Sequence, residues 1–217
     1  MRGLLEKDFR LLLQSKQSFI CFFVLTIVLG FSTQGTFILG YFTFLMIALL
    51  TSTISYDELD HGFEFLFTLP VNRNIYVREK YVLCMGGAVI AWLISVVLYF
   101  LMLNLHNATI VPGEEILKAL TFLPIAMLFL SLMIPLQLKF GVEKSRFVML
   151  GVCAAIGVLI YVVLDQVGLS ETQSVFIMCA FGQIPNALLV LAEMILGICV
   201  AIISCFCSNR IMRKKEL

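Results

Sequence analysis

The sequence predicts an all-α integral membrane protein with six transmembrane helices, and three observations carry that expectation. Hydrophobic residues make up 61% of the 217 and charged residues only 13%, with a mean hydropathy of +1.03. A soluble chain of this length has no core large enough to bury so much apolar side chain, so the bilayer must act as its solvent. The apolar residues also fall in continuous runs rather than alternating, which fits helices and not barrel strands. Finally, crossing a hydrocarbon core about 30 Å thick takes about 20 helical residues. Six runs qualify, at about 18–34, 36–55, 81–103, 119–138, 147–167 and 187–207. No long repeat or low-complexity tract interrupts them, so residues 1–217 read as a single transmembrane domain.

Six spans place both termini on one side, and the basic residues say which side that is. Arg2, Lys7, Arg10 and Lys16 precede the first span, and Arg73, Arg78 and Lys80 fall in the second connection. Lys139, Lys144 and Arg146 occupy the fourth connection, and Arg210, Arg213, Lys214 and Lys215 the tail. Lys118 alone falls on the opposite face. Basic residues stay in the cytoplasm, so both termini and the 56–80 loop are expected there.

Taken in order, residues 2–17 read as an amphipathic interfacial helix. Leu5, Phe9, Leu12 and Leu13 share one face, and Arg2, Glu6, Arg10 and Gln14 the other. The alternative is the cytoplasmic end of the first span. Glu6 and Asp8 spoil the basic region of a secretory signal. The uncharged Ser32-Thr33-Gln34-Gly35 turns spans one and two into a tight hairpin. Asn104 to Leu117, with Pro112, Gly113, Glu114 and Glu115, is expected to form an outer loop. Ser174 to Phe181 is apolar but too short to cross, and Gly182-Gln183-Ile184-Pro185-Asn186 breaks the chain after it. Residues 174–181 therefore read as a short helix dipping into the outer leaflet. Glu193 lies inside the sixth span. An ionisable group there costs about 3 kcal/mol near the bilayer centre. It is either part of a translocation path or subunit contact, or sits near the outer interface where the cost is small.

Enzymatic constellations are thin, and the chain is expected not to be an enzyme. The phosphate-binding pattern GxxxxGK[ST] is absent, since Lys144-Ser145 follows Glu143 rather than Gly, and no HExxH occurs. His61 and His106 fall on opposite sides of the membrane and cannot share a metal. The Glu114-Glu115 pair resembles that of intramembrane prenyl-protein proteases, which need histidines within their spans; this chain has none there. The seven cysteines all lie in apolar segments and read as small hydrophobes. No catalytic, cofactor-binding or metal site is expected.

The polar island from Tyr56 to Lys80 is the informative segment. It holds Asp57, Glu58, Asp60, Glu64, Arg73, Arg78, Glu79 and Lys80 between two long apolar runs. Asp57, Glu58 and Asp60 are expected to keep the chain in water, and Gly62 permits a sharp bend. Phe63, Phe65, Leu66, Phe67 and Leu69 crowd around Glu64, too apolar for a free loop. Pro70 ends this stretch by excluding its predecessor from helix. Asn72 or Asn74 can cap the next helix, and Arg78 and Lys80 are expected to anchor it at the headgroups. The product is a short amphipathic helix whose aromatic side needs a groove on a partner and whose acids meet basic residues there. The alternative is a helix resting on lipid, which the acidic front disfavours.

Leu69-Pro70-Val71-Asn72-Arg73, followed by Val77 and Lys80-Tyr81, resembles the LPVSR…V…KY signature of permeases in the type-2 ATP-binding-cassette (ABC) exporter family. Its small bacterial branch is the most similar in length, span number and opening helix (here Gly3 to Phe9). The Gly141-Val142-Glu143-Lys144-Ser145-Arg146 stretch is similar to a Gly-x-x-Lys-x-Arg element there. Asn72 stands where the family has a small hydroxyl residue, and either can cap a helix.

The resemblance implies a permease subunit in the bacterial plasma membrane, working as a homo- or heterodimer. A separate cytoplasmic ATPase dimer would carry ATP and Mg, with no cofactor in this chain. It also implies that Asp60 to Thr68 is a coupling helix, with Asp60, Gly62, Phe63, Glu64, Phe65, Phe67, Pro70 and Arg73 touching the ATPase. The cargo would be a hydrophobic or amphipathic peptide, a drug-like molecule or a lipid. A non-transporting anchor or accessory subunit of a membrane complex is the competing reading.

Overall fold

The computed structural model describes residues 2–32, 36–58, 72–105, 112–166 and 186–214. Every element is helical, and no strand occurs among the described residues. The helices are α1 (Arg2–Gln14), α2 (Lys16–Ser32), α3 (Thr36–Glu58), α4 (Arg73–Leu105), α5 (Pro112–Gln166) and α6 (Asn186–Lys214). Among the described residues, four stretches are long and apolar enough to cross a membrane: Phe37–Glu58, Arg73–Leu105, Glu115–Gly141 and Ala187–Arg213. α1 and α2, bent by 61° across Ser15, make a fifth if taken as one broken span. A shorter apolar stretch, Phe147–Leu159, lies in the second arm of α5. The protein is thus an all-helical, multi-pass membrane protein.

Ser15 makes the bend: its Oγ donates to Leu12 O at 2.7 Å, and its own carbonyl accepts from Ser18 N at 3.0 Å, starting α2 afresh. α1 is therefore no straight extension of α2. It seats Leu4 and Asp8 in the bundle, packs Leu12 against the core, and leaves Phe9 and Leu13 exposed. The apolar face expected from the sequence is thus split between protein and open surface.

Two connections differ from expectation. Pro112, Gly113, Glu114 and Glu115 belong to the first turn of α5 rather than to a loop. Proline suits the first helical position, where its missing N–H has no partner to lose. The polar stretch Lys139 to Arg146 is likewise helical, apart from one break at Gly141 with φ 77° and ψ 172°. That left-handed conformation ends the first arm of α5 and starts the second without an intervening loop, which glycine alone permits cheaply.

The core is built where α3, α4 and α5 meet. Ile47, Leu50, Ile54, Tyr76, Val77, Cys84, Ala88, Ala126, Leu130, Ile134 and Leu138 form one buried cluster, joined by Leu4 of α1 and Met212 of α6. Inside a bilayer, helices associate through close packing and polar contacts rather than water exclusion. Gly87 supplies the first: a Cβ there would lie 2.6 Å from Leu50 Cδ1. Thr43 Oγ1 and Ser95 Oγ, 3.2 Å apart and buried, supply the second. Trp92 Nε1 donates to Ala119 O at 2.8 Å, tying α4 to α5.

Contacts at the helix ends fix direction. Glu58 at the end of α3 lies against Gly141, and Arg73 at the start of α4 reaches Met212 and Arg213 near the end of α6. Asp8 of α1 joins them through Lys80. Most of the arginines and lysines collect here, at what we term the basic end. At the opposite end, Glu115 accepts from Tyr99 Oη and pairs with Lys118 at 2.9 Å.

Candidate functional site

The basic end carries a sealed ionic cluster drawn from three helices. α4 has 33 residues and is about 50 Å long, well beyond a hydrocarbon core of about 30 Å, so its first two turns extend past the apolar stretch. Those turns present Tyr76, Glu79 and Lys80, all at most 1% exposed. The Lys80 ammonium pairs with Asp8 of α1 and with Asp57 Oδ2 of α3 at 2.7 Å. It lies 3.5 Å from Thr53 Oγ1 and 5.4 Å from the Tyr76 ring centroid. Tyr76 Oη donates to Asp57 Oδ2 at 2.9 Å, and Lys7 pairs with the other Asp57 oxygen.

The surroundings make this cluster consequential. Charges removed from water hold together only when paired and hydrogen-bonded. Lys80 and Asp57 meet that condition; Glu79 does not. Among the described residues neither Glu79 oxygen has a hydrogen-bond partner, nor does Asp8 Oδ1, which lies 3.5 Å from Lys7 Nζ. Three buried carboxylates therefore face two lysines.

A second set of contacts binds α4 to α6. Arg73 Nη1 donates to Met212 O at 3.2 Å and Arg213 O at 3.3 Å, satisfying carbonyls that the end of a helix leaves open. Arg213 Nε in turn donates to Asn74 Oδ1 at 3.2 Å. Two turns further along α4, Tyr81 Oη lies 2.6 Å from Ser204 Oγ and 2.9 Å from Ser208 Oγ. Ser204 also donates to Ser131 O of α5. The start of α4 is thereby fastened to α1, α3 and α6, and through Ser204 of α6 to α5.

The residues expected to matter fall unevenly on this frame. Asp60, Gly62, Phe63, Glu64, Phe65, Phe67 and Pro70 lie outside the described residues, as do 174–181. Arg73 is the first residue of α4, following Asn72, whose carbonyl accepts from Ile75 N at 2.8 Å. Asn72 thus holds the N-cap backbone position, while Asn74 serves Arg213 instead. Val77, Lys80 and Tyr81, the later part of the motif, are buried and carry the contacts described above. Lys80 corrects the expectation that it anchors at headgroups: two carboxylates draw it inward. Asp57, expected in water, is 6% exposed for the same reason. Glu193 points out of the bundle among exposed Leu191, Ile195 and Leu196. Sequence reasoning missed Asp8, although its spacing from Leu4 and Leu12 puts it on their face.

Residues 3–213 match the family model described as ABC-2 family transporter protein. The chain belongs to the ABC-2 transporter family. No curated protein and no solved structure matches it. Membership makes this ABC-2 chain a permease, the membrane component of a transporter, in a family that generally works with an ABC ATPase. Val77, Lys80 and Tyr81 are buried here and help build the junction of α1, α3, α4 and α6.

Proposed function

We propose that this permease is an exporter subunit of the bacterial plasma membrane, driven by a separate ATPase dimer that docks on the 56–80 loop. Six spans with both termini in the cytoplasm place that loop beside the ATPase. Asp60 to Thr68 forms the coupling helix, and Asp60, Gly62, Phe63, Glu64, Phe65, Phe67, Pro70 and Arg73 meet the partner. A second permease chain, identical or related, completes the translocation path, with Glu193 at the path or the subunit contact. ATP and Mg are held by the ATPase. The cargo is a hydrophobic or amphipathic peptide, a drug-like molecule or a lipid, as the apolar spans favour.

One observation carries this reading: both attachments of the loop are clamped. Asp57 on one side and Arg73, Tyr76 and Lys80 on the other are locked to α1, α3 and α6. A displacement of the loop on ATP binding would therefore tilt several helices together instead of being absorbed locally. The test is co-purification with an ABC ATPase of the cell that makes this chain. Glu64→Arg with Phe65→Ala should abolish association while leaving the chain folded; retained association sinks the coupling assignment. An anchor, unlike an exporter, would leave the ATPase rate indifferent to cargo in proteoliposomes.

A further inference from the structure

Between the start of α4 and the end of α6 lies a cleft of about 330 Å³, lined by Asn74, Arg78, Phe206, Asn209, Arg210 and Arg213. Three guanidinium groups and two amides converge there, with no carboxylate in the lining. Among the described residues, the ion pairs of the molecule leave Arg78, Arg210 and Arg213 out. Like charges gathered on facing helices repel, and an anion between them relieves that cost. The cleft is also built rather than accidental. Arg73 grips the last carbonyls of α6, and Asn74 holds Arg213 Nε, leaving the rest of the Arg213 fork available.

The cleft opens onto an apolar track. Phe206 is 72% exposed, and Ile203, Ile202, Cys199 and Ile195 continue up the outside of α6, all exposed. The arginines stand where the apolar stretch Ala187–Arg213 ends, and a helix that crosses a bilayer brings such an end to the headgroups. A ligand matching both features has an anionic head and an apolar tail. Arginine forks match phosphate oxygens in pairs, and basic pockets between membrane helices suit anionic headgroups.

We propose that this cleft binds the phosphate of an anionic phospholipid from the leaflet at the basic end, with an acyl chain lying along Phe206 and Ile203. The lipid is a resident ligand bracing α4 against α6; this depends on neither the cargo nor the ATPase. The full chain, delipidated in detergent, is to be mixed with phosphatidylglycerol or phosphatidylcholine and followed by native mass spectrometry and thermal unfolding. The expected result is one retained phosphatidylglycerol per chain, a higher unfolding midpoint with it, and neither effect with phosphatidylcholine. Among the described residues Arg78 and Arg210 have no protein partner, so Arg78→Gln with Arg210→Gln should fold normally yet lower the affinity at least about tenfold through the loss of charged hydrogen bonds to the phosphate. Arg10→Gln, on the exposed face of α1, should leave retention unchanged. Equal retention of phosphatidylcholine, or unaltered retention by the double variant, overturns the proposal. So does an equal thermal shift from glycerol phosphate alone, which would assign the cleft to a soluble anion.

Discussion

Lys80 of α4 stands 2.7 Å from Asp57 of α3, with the lysine side chain fully enclosed and the aspartate nearly so. The pair bridges the two helices that flank the polar island, and Asp8 brings α1 to the same ammonium. Removing one partner from such a pair strands the other without water. Lys80→Ala should cost about 3–5 kcal/mol, because Asp8 and Asp57 would both remain buried and uncompensated. Denaturant unfolding of the purified chain in detergent measures this directly. A loss below about 1 kcal/mol would mean that water reaches the cluster.

Glu79 should respond in the opposite sense. It is 1% exposed, and among the described residues both its oxygens lack hydrogen-bond partners beside the Asp8 Oδ1 acceptor. Glutamine keeps the shape and supplies N–H donors where acceptors are in excess. Glu79→Gln is therefore expected to unfold no earlier than wild type, and about 1 kcal/mol later where the new amide reaches a carboxylate. A midpoint several degrees lower would show that the carboxyl group has a partner in the membrane-embedded protein.

Much of this architecture is legible in the residues. The apolar runs at 36–55, 81–103, 119–138 and 187–207 lie within α3, α4, α5 and α6, because unbroken hydropathy over about 20 residues leaves few alternatives. The destination of the charges is harder to see. Lys80 and Asp57 look like ordinary interfacial residues until α1 folds back at Ser15 and covers them. That fold-back rests on tertiary contacts of Lys7 and Asp8, neighbours in a helix whose Glu6, Arg10 and Gln14 face outward. Helix ends failed for a simpler reason: Pro112 and Gly141 signal a loop equally well when they begin or divide a helix.

Gly141 provides a test of that local geometry. Its φ of 77° disfavours any side chain, and a Cβ would lie 2.5 Å from Glu58 Oε1. Gly141→Ala should cost about 1–3 kcal/mol from backbone strain, with the steric conflict in addition. Combining it with Glu58→Ala relieves the contact but not the strain, so the double variant should recover only in part. Full recovery would attribute the whole effect to Glu58.

Tyr81→Phe separates holding the bundle together from transmitting a movement through it. The phenol bridges Ser204 and Ser208 of α6, and Ser204 continues the chain to Ser131 of α5. Polar contacts between membrane helices average about 0.6 kcal/mol, so the variant should fold, with a stability loss of about 1 kcal/mol. It lies beyond the 56–80 loop, so association with the ATPase should persist. What should fall is the stimulation of ATP hydrolysis by cargo in proteoliposomes, because α4 could then tilt without carrying α6. If stimulation stays at the wild-type level while Arg73→Ala reduces it, the link between α4 and α6 runs through the Arg73 grip on Met212 and Arg213 instead.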